Sequence, residues 1–314
     1  MNRLILVSQF PNKLRYPSWW ITEFPKNLKP YFNDIIVLGK DYSVDQTKVN
    51  NYSDIFSPVD LSIDFELKQI QEFMDININD NDTLLLCDLS FPGFFTNMLF
   101  HKPVKNSYAI CHATSMNYLD YFEKVRDTKF FNEISCAKVY KTIFMATNYH
   151  KNKIGFNNTI VTALPNSPFP RFKLEKNKDL ISVARITPQK VNLDLEIEIE
   201  NKFGKIIRSN FNNWNDYYKF VSESKILIIT SFEETFGYQV LDAINNNCIP
   251  LAPNRCSYPE LLPKDYLYDN EEELFNKIEM VLNNNLKVPE LINKELIDNF
   301  YNNISSIMNK NKFI

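Results

Sequence analysis

The sequence predicts an α/β protein of two successive parallel-sheet domains, closed by C-terminal helices. Short apolar runs alternate with amphipathic stretches along the chain, the pattern of strands joined by helical crossovers. A proline-rich loop, Leu164-Pro-Asn-Ser-Pro-Phe-Pro170, followed by the charged stretch from Arg171 to Asp179, interrupts that alternation. The length of 314 residues is more than one core ordinarily organises and suits two domains. We therefore expect domains over 1–174 and 175–314, with the ligand in a cleft between them.

In the first domain, strands are expected at Leu4–Ser8, Ile35–Leu38, Leu84–Cys87, Tyr108–Cys111, Thr142–Ala146 and Ile160–Ala163. Ser62–Met74 carries a helical apolar repeat of Ile63, Leu67, Ile70, Phe73 and Met74, and Phe91–Phe100 reads as a second helix. The second domain should contain strands at Leu180–Ala184, Lys205–Ile207, Ile226–Thr230 and Cys248–Ala252. Between them Leu193–Glu200 alternates apolar and acidic residues, which by pattern alone is a half-exposed strand, although a crossover helix is wanted there. Glu271–Leu282 and Leu296–Met308 read as amphipathic helices, the last expected to cross back to the first domain.

Composition excludes several classes. A net charge of −3 gives no overall attraction to nucleic acid or membrane, and no segment approaches the length of a membrane span. The five cysteines form no C-x-x-C pair and lie mostly in apolar runs, so they read as reduced core residues. A cytoplasmic protein, of a bacterial or virus-infected cell and without membrane insertion, is expected.

Two stretches carry chemistry. In Glu233-Glu-Thr-Phe-Gly-Tyr-Gln-Val-Leu-Asp242, a loop follows the strand at Ile226–Thr230 and a helix starts near Gly237. Glu234 should stand at the carboxyl edge of the sheet. The amides at the helix start favour an anion such as diphosphate, Gly237 lets a ligand approach the backbone, and Asp242 can reach a vicinal diol. The plainer reading is an acidic helix start with a solvated Asp242. In Val183-Ala-Arg185-Ile-Thr-Pro-Gln-Lys190 a strand ends in Arg185, with Lys190 across a short loop. Ligands bind along that edge of an open parallel sheet, and the two cations suit a diphosphate; taken alone, the plainer reading is two solvated surface cations.

Together the two stretches resemble the nucleotide-sugar glycosyltransferases of the GT-B fold, in particular the retaining family marked by Glu, seven residues, Glu. The specific matches cover mainly residues 180–262; over the first half only the α/β pattern and one histidine agree. The resemblance implies two Rossmann-like domains facing a cleft, the first binding the acceptor and the second the donor. Carried over, Glu234 contacts the donor sugar, Thr235 and the backbone of Phe236 and Gly237 the sugar or phosphates, and Asp242 the ribose. Arg185 and Lys190 then stabilise the departing diphosphate, and His112, after the strand at Tyr108–Cys111, lies near the sugar. Asp242 departs from the family's second Glu, and Ser8–Arg15 lacks the usual glycine-rich loop. No metal and no cofactor are expected; the nucleotide sugar is a co-substrate. The one Asp-x-Asp match, Asp80-Asn-Asp82, reads as a solvated turn at the amino edge of the first sheet.

Between His101 and Lys153 nine cations stand against four acids, with Tyr108, Tyr118, Tyr121, Phe122, Phe130 and Phe131 interleaved. Such a surface suits a nucleic acid with a splayed-out base, and suits equally a basic helix over an aromatic core. The stretch Cys248–Pro263, with its Tyr258-Pro-Glu260, looks like that of the enzymes attaching mannose to queuosine in transfer RNA. A modified nucleobase in transfer RNA or DNA is therefore the leading acceptor, ahead of a surface glycan. A non-catalytic nucleotide-sugar binder and an epimerase are the other classes weighed.

Overall fold

The computed structural model describes residues 2–11, 15–41, 59–89, 102–117, 119 and 126–310. The chain forms two compact units. One comprises Met1–Ala146, Lys151–Pro165 and Asn299–Ile314; the other comprises Thr147–His150 and Asn166–Asp298. The second unit thus begins ahead of the boundary expected after residue 174, and it also takes four residues from within the first half of the chain.

The first unit is built on a six-stranded sheet of β1 (Arg3–Val7), β2 (Asp34–Leu38), β3 (Thr83–Leu86), β4 (Asn106–Cys111), β5 (Thr142–Met145) and β6 (Thr159–Val161). Its order is β2-β1-β3-β4-β5-β6, parallel throughout. The inner strands β3, β4 and β5 are buried along their whole length, as continuous apolar runs in a sheet covered on both faces should be.

Helix α1 (Pro17–Leu28) opens on a proline, whose missing N–H costs nothing in a first turn, and buries Trp19, Trp20, Phe24 and Leu28. Helix α2 (Val59–Asp75) corrects the expected face. Phe65, Gln69 and Phe73 are buried at four-residue spacing, whereas Leu67 and Met74 are about half exposed. The polar residue wins because Gln69 Nε2 donates to the carbonyls of Ser8 at 2.8 Å and Leu38 at 3.0 Å, capping two strand ends. Gly39 belongs to the same junction, since its φ is +79° and an added Cβ would lie 2.5 Å from the Phe65 ring. The helix expected over Phe91–Phe100 lies outside the described residues.

The Asp80–Asp82 turn stands before β3, as the sequence indicated, yet Asp82 is fully buried rather than solvated. Arg3 Nη2 reaches its carboxylate at 2.6 Å and the Asn79 amide donates to it at 2.9 Å, which makes burial of the charge tolerable. Helix α3 (Arg126–Val139) buries Glu133 completely, ion-paired to Lys129 at 3.4 Å and accepting from the amide and hydroxyl of Ser115. Lys129 is therefore not part of a solvated basic surface, and Tyr108 lies in the core with its hydroxyl donating to the Met308 carbonyl. Phe131 and Lys138 remain exposed, while Tyr118, Tyr121, Phe122 and Lys124 lie outside the described residues.

The second unit has a four-stranded parallel sheet of β7 (Lys178–Ile181), β8 (Ser224–Ile228), β9 (Ile249–Pro253) and β10 (Leu267–Tyr268), ordered β10-β9-β8-β7. The strand expected at Lys205–Ile207 reduces to one bridge between Ile181 and Ile207. Residues 193–200 belong to helix α5 (Leu193–Phe203). Asn192 caps it by accepting from the Leu195 amide, and Leu195 and Ile199 are buried while Leu193 and Ile197 are exposed, so the apparent two-residue alternation is read at helical spacing. Helices α6 (Trp214–Ser222), α7 (Tyr238–Asn245) and α8 (Glu271–Leu282) complete the layers.

The expected terminal helix is two. Helix α9 (Lys294–Asp298) ends in the second unit, and α10 (Phe300–Lys310) belongs to the first, where Phe300 and Tyr301 pack on Phe24 with ring centroids 5.7 and 5.3 Å apart. Replacing Phe300 with alanine empties a fully buried ring position and is expected to cost the first unit about 3 to 5 kcal/mol in chemical denaturation.

Candidate active site

In the second unit the loops leaving β7 and β8 meet at the carboxyl edge of the sheet. They are joined by backbone before any side chain is considered, because the amides of Phe232 and Glu233 donate to the Gln189 carbonyl at 2.9 and 3.3 Å. Thr230 Oγ1 accepts from the Asn192 amide at 3.0 Å, and Ser231 Oγ donates to the Lys190 carbonyl at 3.2 Å. Across this seam Lys190 Nζ donates to the Glu234 carboxylate at 3.0 Å and to the Glu233 carbonyl at 3.1 Å. Arg185, half-buried, stands in the same loop as Lys190.

The Glu234 carboxylate has a second set of donors. Its Oε1 accepts from the amides of Thr235 at 3.0 Å and Phe236 at 3.4 Å. Burial alone would raise its pKa, but the Lys190 ammonium and these two amides outweigh burial and hold the group below the usual carboxylate range. The Phe236 amide, one of those expected to meet phosphate or sugar, thus donates to Glu234 itself in this structure. Glu233 is 2% exposed, with Oε1 accepting from the Tyr149 hydroxyl at 2.9 Å.

Gly237 precedes α7 with φ +98°, a conformation that strains any residue with a Cβ. A Cβ there would lie 3.2 to 3.3 Å from Leu261 and Tyr258, so the glycine is also required by its own neighbours. Helix α7 turns Asp242 inward. It is 7% exposed and accepts from the hydroxyls of Tyr217 at 2.9 Å and Tyr218 at 3.1 Å, so it is not the solvated acid of the plainer reading. Burial pushes its carboxyl up to about 7, although both hydroxyls favour the charged form.

Arg185, Lys190, Glu234, Thr235, Phe236, Gly237 and Asp242 all belong to the second unit. His112 belongs to the first, directly after β4, where it is 5% exposed and packed against Tyr16 and Trp20 at centroid distances of 4.7 and 4.5 Å. Among the described residues no three His, Cys, Asp or Glu side chains converge as a metal set. No described helix is long and apolar enough to cross a membrane.

Sequence reasoning missed Tyr217 and Tyr218 as partners of Asp242 and Tyr149 as the partner of Glu233. No pattern announces a tyrosine aimed at an acid 25 residues away. The one available signal was the polar run Thr147-Asn-Tyr-His150 immediately after a buried strand.

No family model matches the chain. A tRNA-queuosine alpha-mannosyltransferase of Drosophila melanogaster is 32% identical over 108 residues, which is 34% of this chain and 27% of that protein. The chain therefore aligns with little more than a quarter of that relative's length. Among solved structures, a sucrose-phosphate synthase from Thermosynechococcus elongatus superimposes with a TM-score of 0.68 at 10% identity, over 99% of this chain and 98% of that one. A lipopolysaccharide outer core galactosyltransferase in its apo form gives 0.60 at 11%, over 100% and 99%. A trehalose-6-phosphate structure from E. coli bound with UDP-2-fluoro glucose gives 0.55 at 11%, over 98% and 96%. Sequence identity this low speaks to architecture only, and it does so over essentially the whole chain: two Rossmann-like parallel-sheet units, an α/β protein of the GT-B glycosyltransferase fold.

Proposed function

We propose that the protein is a retaining glycosyltransferase that moves a sugar from a nucleoside-diphosphate sugar to an acceptor hydroxyl. One observation carries the reading. On a GT-B fold, the carboxyl edge of the second sheet holds an ionised Glu234 in contact with Lys190, with Arg185 in the same loop. A carboxylate can accept from the hydroxyls of a sugar, and the two cations match the charge of a diphosphate. In the reaction the bond from the sugar's anomeric carbon to the diphosphate oxygen breaks, and the acceptor oxygen attacks the same face through an oxocarbenium-like state. The acceptor proton passes to the departing phosphate oxygen. Arg185 and Lys190 stabilise the charge that grows on the diphosphate, which is preorganised electrostatic catalysis and calls for no metal ion. Asp242 holds the ribose.

The acceptor we favour is a hydroxyl on a modified nucleobase, in transfer RNA or DNA. Its support is the likeness to a tRNA-queuosine alpha-mannosyltransferase and the Tyr258-Pro-Glu260 stretch.

A thermal-shift series with nucleoside diphosphates should raise the melting temperature for at least one of them, because ligand binding only the folded state stabilises it. Arg185→Ala and Lys190→Ala should each weaken that ligand by roughly tenfold or more, the loss expected for one charged contact to phosphate. Unchanged affinity in both variants would place the phosphates elsewhere.

Glu234→Ala is expected to reduce turnover of the nucleotide sugar by about a hundredfold or more, with folding retained by circular dichroism, while the native protein keeps its activity in excess EDTA. Normal turnover in the variant would sink the assignment of Glu234.

The buried Asp242 makes binding depend on pH. Its folded pKa of about 7 lies above the ordinary value of 3.8, so folding favours the protonated form, and stability falls as pH rises between those values. The ionised form, the better acceptor for ribose hydroxyls, accumulates as pH passes through 7. Calorimetric titration should therefore show nucleotide affinity strengthening from pH 6 to 8 by more than phosphate ionisation explains. Asp242→Asn should flatten the excess; the same slope in both proteins would remove Asp242 from the nucleotide site.

A further inference from the structure

The Tyr258-Pro-Glu260 stretch has no contact assigned to it by the proposed reaction, yet Tyr258 packs beside Gly237 and Glu260 holds a segment that itself contacts the Glu234 loop. Tyr258 is fully buried, lies where a Cβ on Gly237 would touch it, and accepts from Gln239 Nε2 at 3.2 Å. Glu260 turns to the short helix α4 (Asn148–Ile154), whose first residues, with Thr147, belong to the second unit. Its two oxygens accept from the amides of Asn148 at 2.8 Å and Tyr149 at 2.6 Å, and from Asn148 Nδ2 at 3.1 Å. A carboxylate over the unsatisfied amides of a helix start is a charge-assisted cap. The main chain of Glu260 is itself fixed, since its carbonyl accepts from Asn293 Nδ2 at 2.7 Å.

What Glu260 holds in turn holds the loop. Thr147 Oγ1 donates to the Thr235 carbonyl at 2.8 Å, and the Tyr149 hydroxyl donates to Glu233 Oε1 at 2.9 Å. The residues before and after Glu234 are therefore each bonded to the 147–150 segment. Glu234 pairs with Lys190, and both of its sequence neighbours are held by the 147–150 segment.

We propose that Thr147 and Tyr149 are positioning residues for Glu234, and that Glu260 is the latch that keeps them in place. This rests on the reading of Glu234 as a donor-sugar contact. It assigns the Tyr-Pro-Glu stretch to preorganisation of the donor loop rather than to recognition of an acceptor. A carboxylate that must meet sugar hydroxyls in one orientation gains from a loop fixed before the substrate arrives, and small misplacements of such groups are costly.

The test uses the full-length protein and the variants Tyr149→Phe and Glu260→Gln, each removing hydrogen-bonding capacity at near-constant volume. Hydrogen–deuterium exchange should speed up about fivefold or more in peptides covering residues 232–237, with β7 and β8 unchanged, the mark of local rather than global opening. Turnover of whichever of UDP-glucose, UDP-N-acetylglucosamine or GDP-mannose the native protein uses should fall about tenfold in kcat, with affinity for the matching nucleoside diphosphate within about twofold. The double variant should lose no more than the worse single one, since both substitutions act through one chain of contacts. Unaltered exchange at 232–237 overturns the proposal, as does faster exchange throughout the unit with a lower melting temperature, which is a merely structural role. Should none of the sugars turn over, the transferase reading is what fails, and the exchange result still decides the latch.

Discussion

Lys190 Nζ is the group on which the site depends. It reaches the Glu233 carbonyl and the Glu234 carboxylate together, so one ammonium joins the loop after β7 to the loop after β8. Both partners are largely buried, at 18% and 16% side-chain exposure, so salt screens the pair less than a surface contact. Taking such charges out of water is unfavourable unless every donor and acceptor is used. The amides of Thr235 and Phe236 and the carbonyl of Glu233 supply further partners to the pair. The pair thus ties the two loops together at the carboxyl edge of the sheet.

The fold was legible wherever burial on both faces writes a continuous apolar run. Leu84–Cys87, Tyr108–Cys111 and Ile226–Thr230 needed no partner to be recognised as strands, and each lies within a residue or two of the observed element. Legibility failed where a polar side chain outcompetes an apolar one for the core. Gln69 is buried while Leu67, two residues away, is half exposed, because two strand-end carbonyls need a donor and leucine has none to offer. The same reason hid Asp82. A short acidic turn reads as solvated until the arginine on β1 that neutralises it is known. In Leu193–Glu200 the two periods overlap. Asn192 settles the matter by capping the helix, a local contact that an eight-residue pattern does not contain.

The site was legible in its charges and illegible in its supports. Glu234 and Lys190 could each be placed at the carboxyl edge in advance, because that edge of a parallel sheet gathers loops from neighbouring strands, but their contact with each other could not. Nothing comparable connects Glu260 with Tyr149, 111 residues apart, or Tyr217 with Asp242. Such contacts are set by how layers stack, and a sequence records them only as unremarkable tyrosines and acids.

Asp242 shows what the supports do. A residue one methylene shorter than glutamate has less reach from α7, and here its oxygens are taken by Tyr217 and Tyr218. The hydroxyls compensate the buried charge only in part, which is why the carboxyl sits near 7 rather than near its ordinary value. Tyr217 is partly exposed, with Trp214 and Phe211 packed on its ring at centroid distances of 5.7 and 5.4 Å. A ligand hydroxyl arriving at Asp242 must therefore either share the carboxylate with the Tyr217 hydroxyl or displace it. Sharing is chemically cheap, because each carboxylate oxygen accepts more than one hydrogen bond. Each oxygen of Asp242 thus keeps capacity for a further hydrogen bond beside the tyrosine hydroxyl it already accepts from.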